Sequence, residues 1–420
     1  MKITIIGGAS SNIPLIIKSM GVNLDDSTHE VVIFDIDHKN LTIVYDFCLE
    51  LIRADNLKVN LQKSFNLKDA LTESDIVINY FRKGNLEQRL MDQLACKKSN
   101  ILGQETQGAM GVISAYRQLS VVRTVCEAIV EICPNAFLIN ISNPVNILTK
   151  ASLKFGIKSV GLCELPWSSY LAIKQIVSDN YSLNGELSIS WIGINHISWI
   201  NGIYLNQSNI IQDFSNRFLD NFYENATPAN IPSSPSQLNN NSHLIPAPYL
   251  FYYYNRAQAL GIQANKESRE HKIIEARDKQ LKLFSEKNMN LWEAYGKYRG
   301  GYLVGESLSN FILSMNGSEK SYFPGLNIYN NGVLSFLGDD DIIETSVICD
   351  NGKIHSLFED CTLPDSSIGL IQVITASNNI ALDAFYQNNP NLLIDAMAVH
   401  PLIGDVEASK KILSEIINTL

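Results

Sequence analysis

The sequence lacks a basic tract. Its 33 lysines and arginines are outnumbered by 43 aspartates and glutamates, for a formal net charge of -10. Without clustered positive charge to displace counterions, nucleic acid is excluded as a partner. No apolar run approaches the roughly 20 residues that cross a bilayer, which argues against a membrane partner. Met1-Lys2 leads straight into the apolar run Ile3–Ile6, so no secretory leader is expected. Paired cysteines are missing too. The 7 cysteines are odd in number and scattered, which argues against a disulfide framework and for a reducing cytoplasm. No internal repeat is evident. What remains is a 420-residue chain, 45% apolar and 18% charged, the composition of a globular protein of two or three domains.

The first half alternates strands with helices. Apolar runs at 3–6, 31–34, 75–79, 136–140 and 159–162 are separated by helical stretches near 11–20, 40–54, 84–98 and 113–132. Fully apolar strands flanked by helices imply a parallel sheet covered on both faces. We therefore expect an α/β fold with a Rossmann-like, lactate/malate dehydrogenase-like domain over residues 1–165. A C-terminal α/β domain for substrate and oligomerisation follows over 166–420. There, 187–193 and 200–204 read as strands around His196, with further strands near 324–328 and 343–349. Helices are expected at 249–260, 265–287, 367–387, 391–398 and 405–418. Residues 224–248, with five prolines, read as a long loop.

Several short motifs carry chemistry. Gly7-Gly8-Ala9-Ser10 follows the first strand, where glycines let the backbone approach a pyrophosphate and the next helix offers amide donors. It is not G-x-G-x-x-G, so an ordinary strand–helix turn or another nucleotide stays open. Asp35 ends the second strand, the position of a carboxylate that binds the ribose hydroxyls of NAD. Asn140-Ile-Ser-Asn143-Pro144 offers amides to a ribose or sugar, or simply a helix entry. Cys163 and His196, 33 residues apart, are too few for a closed zinc site but suit an open one completed by substrate oxygens, as for Mn²⁺. Each could equally be a buried structural residue. The Tyr249-Leu-Phe-Tyr-Tyr-Tyr run is either an aromatic core face or the source of a tyrosinate base.

Read in order, these motifs resemble glycoside hydrolase family 4, the NAD- and metal-dependent glycosidases, which do not use the usual carboxylate pair. The likeness extends through Arg82–Arg89, Gly103-Gln-Glu-Thr, Cys163-x-x-Pro, Asn195-His-x-x-Trp and Tyr249-Leu-x-Tyr-Tyr. Later stretches, Arg299-Gly-Gly-Tyr302 and Asn327-x-x-Asn-Asn-Gly332, look most like the 6-phospho-β-glucosidase branch. The resemblance implies hydride removal from C3 of the sugar by NAD, proton abstraction at C2, elimination of the C1 substituent, and reversal with water.

Carried over residue by residue, the resemblance gives Cys163 and His196 the divalent metal, Mn²⁺, and makes Tyr249 the base. Glu105 raises the basicity of that tyrosine. Gly7, Gly8, Ser10, Asp35 and Asn140 contact NAD; Arg89 and Asn143 contact the sugar; Arg269 binds the 6-phosphate. A homodimer or homotetramer is implied, acting on a small phosphorylated sugar.

Glu164 departs from the pattern. The β-enzymes carry Asn after the cysteine and the α-enzymes an acidic Asp, so 6-phospho-α-glucosidase is the alternative. A malate- or lactate-type dehydrogenase is a more distant rival, since the sequence has no Gly-x-His-Gly context.

Overall fold

The computed structural model describes residues 1–24, 28–181, 185–227, 231, 243–265, 268–289, 292, 301–316, 320–358 and 363–419. The chain forms two compact units, each discontinuous in sequence. The first comprises Met1–Leu90, Arg117–Leu162 and Ser268–Gly317; the second comprises Met91–Tyr116, Cys163–Glu267 and Ser318–Leu420. A single cut after residue 165 therefore does not reproduce these units, although the chain does change unit at Leu162/Cys163.

The first unit contains β1 (Lys2–Ile6), β2 (His29–Phe34), β3 (Val59–Ser64), β4 (Ile76–Asn79), β5 (Phe137–Asn140) and β6 (Ser159–Gly161). They pair in parallel in the order β3-β2-β1-β4-β5-β6. This is the doubly wound dinucleotide-binding order, with its switch point between β1 and β4. Ile3, Ile5, Val31, Ile33, Val77 and Ile78 are buried, which explains why these strands are so apolar. Helix α1 (Ile13–Asn23) follows β1, and α2 (His38–Ala54) follows β2. The sequence reading missed β3, whose VNLQKS alternates buried and exposed residues at the sheet edge.

The second unit is built on an antiparallel arrangement of β7 (Leu187–Ile194), β8 (Ile197–Leu205), β11 (Ser321–Tyr329) and β12 (Ile342–Asp350). Side chains alternate across β7 with the strand period of two. Leu187, Ile189 and Trp191 pack with Phe214, Phe222 and Tyr223, while Ile192 and Ile194 pack with Ile371 and Ile374 on the other face. Helices α7 (Glu164–Asn180) and α8 (Ile211–Ala226) were not anticipated.

The helix expected over 265–287 is α11 (Arg269–Ser285), capped by Ser268, whereas the one expected over 249–260 is divided into a 3-10 turn Pro248–Leu250, α9 (Phe251–Tyr254) and α10 (Arg256–Asn265). Much of the proline-rich 224–248 stretch lies outside the described residues, as do Arg299 and Gly300. The helix Asp365–Tyr386 is, by length and composition alone, apolar enough to span a membrane, although Gln372, Asn378 and Asn379 break its apolar run. Its Ile371, Ile374, Ala381 and Ala384 nevertheless lie in the hydrophobic interior.

Candidate active site

In the first unit the glycine turn runs against the end of β4. Gly7 has φ +102°, and a Cβ there would lie 2.3 Å from the Tyr80 carbonyl oxygen, so only glycine fits. The Gly7 and Gly8 amides both donate to the Phe34 carbonyl at 2.9 Å. Half-buried Asp35 is fixed by the backbone: the Ala9 amide donates to Oδ2 and the Asp37 amide to Oδ1, each at 3.0 Å. Ser10 is half-buried, and its Oγ accepts from the Asn12 amide at 3.3 Å. The side chain of the N-cap residue Asn12 makes no capping bond to the first turn of α1. The buried Asn12 Oδ1 has no hydrogen-bond partner, while its Nδ2 donates to the Tyr80 hydroxyl at 2.8 Å. A glycine turn, an uncapped helix start and an orphaned amide oxygen suit the pyrophosphate and hydroxyls of a dinucleotide.

Asn140 has a different role from the one expected of it. It is fully buried; its Nδ2 donates to Ser152 Oγ and Ser159 Oγ, and its Oδ1 accepts from Asn79 Nδ2 at 2.8 Å. The side chain ties β5 to β4, to β6 and to the helix Val145–Leu153, and both of its amide hydrogens are taken. Asn143 is half-buried, and its carbonyl accepts from Gln118 Nε2. The Asn143–Pro144 peptide is cis, and Pro144 rather than Asn143 holds the N-cap position of the next helix.

Arg89, on α4 (Asn85–Lys98), forms a buried two-pronged ion pair with Glu270 of α11. Nη2 donates to Oε1 at 2.7 Å, and Nε faces Oε2. Arg269 is half-buried in the first turn of α11, beside this pair in sequence. Gln280 of the same helix braces the glycine turn, accepting from Ser11 Oγ at 3.0 Å.

In the second unit Asn195 and His196 form the two-residue turn of the β7–β8 hairpin. His196 adopts φ +67°, a left-handed conformation uncommon for a residue with a side chain and a pointer to function. The turn is held from several sides. Gln107 Nε2 donates to the Asn195 carbonyl at 2.9 Å, and Gly193 passes Ile197 so closely that a Cβ would meet its carbonyl oxygen at 2.3 Å.

The Tyr249 ring stacks on the His196 imidazole, with centroids 4.0 Å apart and planes 5° off parallel. The Asn195 side chain lies beside the Cys163 thiol. Cys163, at the N-cap of α7, is half-buried, while the other described cysteines are buried. Burial pushes its thiol well up, and the charges of Glu344 and Glu164 add to the shift; the Leu165 amide and Asn195 oppose it. The structure thus gathers Cys163, His196 and Tyr249 around Asn195.

Glu164 is half-buried in the first turn of α7. Glu105 is half-buried in a loop tightened by Gln104, whose Oε1 accepts from the Thr106 and Gln107 amides at 2.9 and 2.5 Å. Among the described residues no three His, Cys, Asp or Glu side chains converge as a metal cage. A thiol and an imidazole beside a buried carboxylate suit a borderline-soft divalent ion.

Sequence reasoning missed that carboxylate, Glu344 on β12. It is fully buried and accepts from Asn195, Trp191, Asn327 and Ser198. The available signal was a charged residue inside the apolar strand IIETSVIC.

This parallel sheet and glycine turn, together with a thiol–imidazole–tyrosine cluster, define a dinucleotide-type α/β enzyme. The fold alone is shared with malate dehydrogenase from Plasmodium falciparum, at 12% identity and a TM-score of 0.53, over 92% of this chain and 99% of that one. Residues 2–179 match the family 4 glycosyl hydrolases, and residues 191–403 match the family 4 glycosyl hydrolase C-terminal domain. The chain belongs to that family, which removes the dehydrogenase alternative.

Similar proteins include the 6-phospho-beta-glucosidases of Thermotoga maritima, 26% identical over 99% of this chain and 98% of that one, and of Escherichia coli K12, 24% identical over 99% and 94%. The Thermotoga maritima enzyme solved with NAD and glucose-6-phosphate superposes with a TM-score of 0.88 at 23% identity, covering 100% and 97% of the two chains. A 6-phospho-alpha-glucosidase from gut microorganisms, solved with NAD and Mn²⁺, gives 0.83 at 18%, over 99% and 97%.

Proposed function

We propose that this chain hydrolyses 6-phosphorylated glycosides, with 6-phospho-β-glucosides as its substrates, using NAD⁺ and Mn²⁺. The observation that carries the reading is the stack of Tyr249 on His196, with Asn195 linking that turn to Cys163. It supports a base and two metal ligands in one cluster. Family membership and the names of full-length relatives support the same chemistry.

Residues 1–165 hold NAD⁺: Gly7, Gly8 and Ser10 meet the pyrophosphate and Asp35 the ribose. Asn140 shapes this site through the sheet rather than by its own amide. NAD⁺, when bound, supplies a reversible hydride acceptor for C3 of the sugar. Cys163, just before residues 166–420, and His196, within them, are the metal ligands; the divalent ion, when bound, supplies positive charge at O2 and O3.

Tyr249, as tyrosinate, takes the C2 proton, acidified by the neighbouring C3 ketone, and a cation beside its ring favours the ionised form. Glu105 raises its basicity. Glu164 gives a proton to the departing glycosidic oxygen as the C1–O bond breaks, and water then adds at C1 while Tyr249 returns its proton to C2. Arg89 and Asn143 grip the sugar, and the Arg269 guanidinium fork takes the 6-phosphate. The chain works in the cytoplasm as a homodimer or homotetramer, with no nucleic-acid or membrane partner.

The carboxylic acid of Glu164 in the first turn of α7 favours a second reading, 6-phospho-α-glucosidase. Hydrolysis of p-nitrophenyl β- and α-glucoside 6-phosphates, with NAD⁺ and Mn²⁺ each present or omitted, separates the two. We expect turnover of the β-anomer only with both cofactors. Preference for the α-anomer would install the second reading, and turnover without NAD⁺ would overturn both.

A further inference from the structure

Glu344 is a buried carboxylate whose charge, among the described residues, meets no lysine or arginine. It lies opposite Gly193 in the β12–β7 ladder and is compensated entirely by hydrogen bonds. Oε2 accepts from Trp191 Nε1 at 3.0 Å and from Ser198 Oγ at 3.1 Å; Oε1 accepts from Asn195 Nδ2 at 2.8 Å and Asn327 Nδ2 at 3.0 Å. An isolated buried charge is costly, and nature pairs such groups or uses them around metals.

Two consequences follow from the chemistry of the acceptor. An ionised carboxylate only accepts, so it fixes both asparagines with Nδ2 inward and Oδ1 facing away. Those two amide oxygens, Asn195 Oδ1 and Asn327 Oδ1, are buried without a hydrogen-bond partner. Each such orphan is costly to bury, a cost that a polar ligand or its water shell removes. Asn195 also contacts the Cys163 thiol and precedes His196, and Ser198 follows it by two residues. The carboxylate therefore grips the β7–β8 turn on both sides of the imidazole.

We propose that Glu344 is a positioning residue for the metal centre: it holds Asn195 against Cys163, fixes the His196 turn, and supplies a second negative charge that, with the thiolate, balances a bound dication. The inference rests on Cys163 and His196 being the metal ligands. Outer groups of this kind orient ligands and tune affinity, and their loss typically weakens metal binding about 10–100-fold.

The test is a Co²⁺ titration of the full-length NAD⁺ complex, followed by the thiolate-to-cobalt absorption band, in wild type, Glu344→Gln, Glu344→Asp and Trp191→Phe. NAD⁺ binding, measured by calorimetry, reports on the first unit independently. We expect Glu344→Gln to weaken Co²⁺ binding about 10–100-fold with NAD⁺ affinity unchanged, and Trp191→Phe, which removes one donor but no charge, to bind Co²⁺ nearly as wild type does. Wild-type Co²⁺ affinity in Glu344→Gln overturns the proposal, as does an equal loss in Trp191→Phe. Should Glu344→Gln fail to fold, Glu344→Asp decides: retained Co²⁺ binding supports the charge role, and loss on the Glu344→Gln scale refutes it. If wild type gives no thiolate band, the Cys163–His196 assignment itself fails and this inference falls with it.

Discussion

Removing one partner of the Arg89–Glu270 pair should destabilise the protein far more than removing both. The side chains are 7% and 4% exposed, so water screens them little. At about 4 Å between charge centres and an effective dielectric near 20, their attraction is about 4 kcal/mol. Desolvating the two ions costs a comparable amount, which makes the intact pair close to neutral against a well-packed apolar pair. Glu270→Gln leaves the guanidinium buried and uncompensated, at a cost of about 3–5 kcal/mol. Arg89→Met with Glu270→Leu removes both charges and should recover most of that loss.

The assay is urea unfolding followed by circular dichroism, comparing midpoints and slopes across the cycle. A single-mutant loss below about 1 kcal/mol, the level of a surface pair, would refute the reasoning. So would a double mutant no more stable than the single. Because Arg89 also grips the sugar in our reading, the double variant should regain stability while its KM stays raised, which separates the residue's two roles.

Cys163→Ser should abolish metal-dependent turnover while leaving NAD⁺ affinity, read by calorimetry, nearly unchanged; full activity in metal-free buffer would remove the metal assignment. Tyr249→Phe should stop exchange of the sugar C2 proton with solvent, followed by proton NMR, and exchange persisting in that variant would place the base elsewhere. His400 is buried, its Nε2 accepts from the Gly108 amide at 3.2 Å, and burial holds its pKa down to about 3. Because the unfolded chain takes up this proton near pH 6.5 and the folded chain does not, the contribution is fully present above pH 6.5. It is lost at about 1.4 kcal/mol per unit as pH falls toward 3. His400→Asn should flatten that acid limb of the urea midpoints, and an unchanged slope would mean His400 is not held neutral.

The parallel sheet was legible because strands covered on both faces are almost wholly apolar, as in Val31–Phe34 and in Ile3–Ile6, where Thr4 is the one polar residue. Edge strand β3 was not, since its exposed Asn60 and Gln62 break the run. Helix α7 was not legible either, since Pro166 in its first turn, where proline is tolerated, reads in sequence as a break. Local patterns singled out Cys163, His196 and Tyr249 as candidates, and the structure stacks Tyr249 on His196. Asn140 was misjudged because an amide at a strand end looks the same in sequence whether it faces a ligand or braces the sheet. Glu344 lies 148 residues beyond His196 in the chain, and only strand pairing brings it to the turn.

The central claim is an elimination through C2 rather than direct displacement at C1. The most direct measurement is hydrolysis of p-nitrophenyl β-glucoside 6-phosphate in D₂O with NAD⁺ and Mn²⁺, with the glucose 6-phosphate product analysed by NMR. The account predicts deuterium at C2. Product formed at full rate with its C2 proton intact would contradict it.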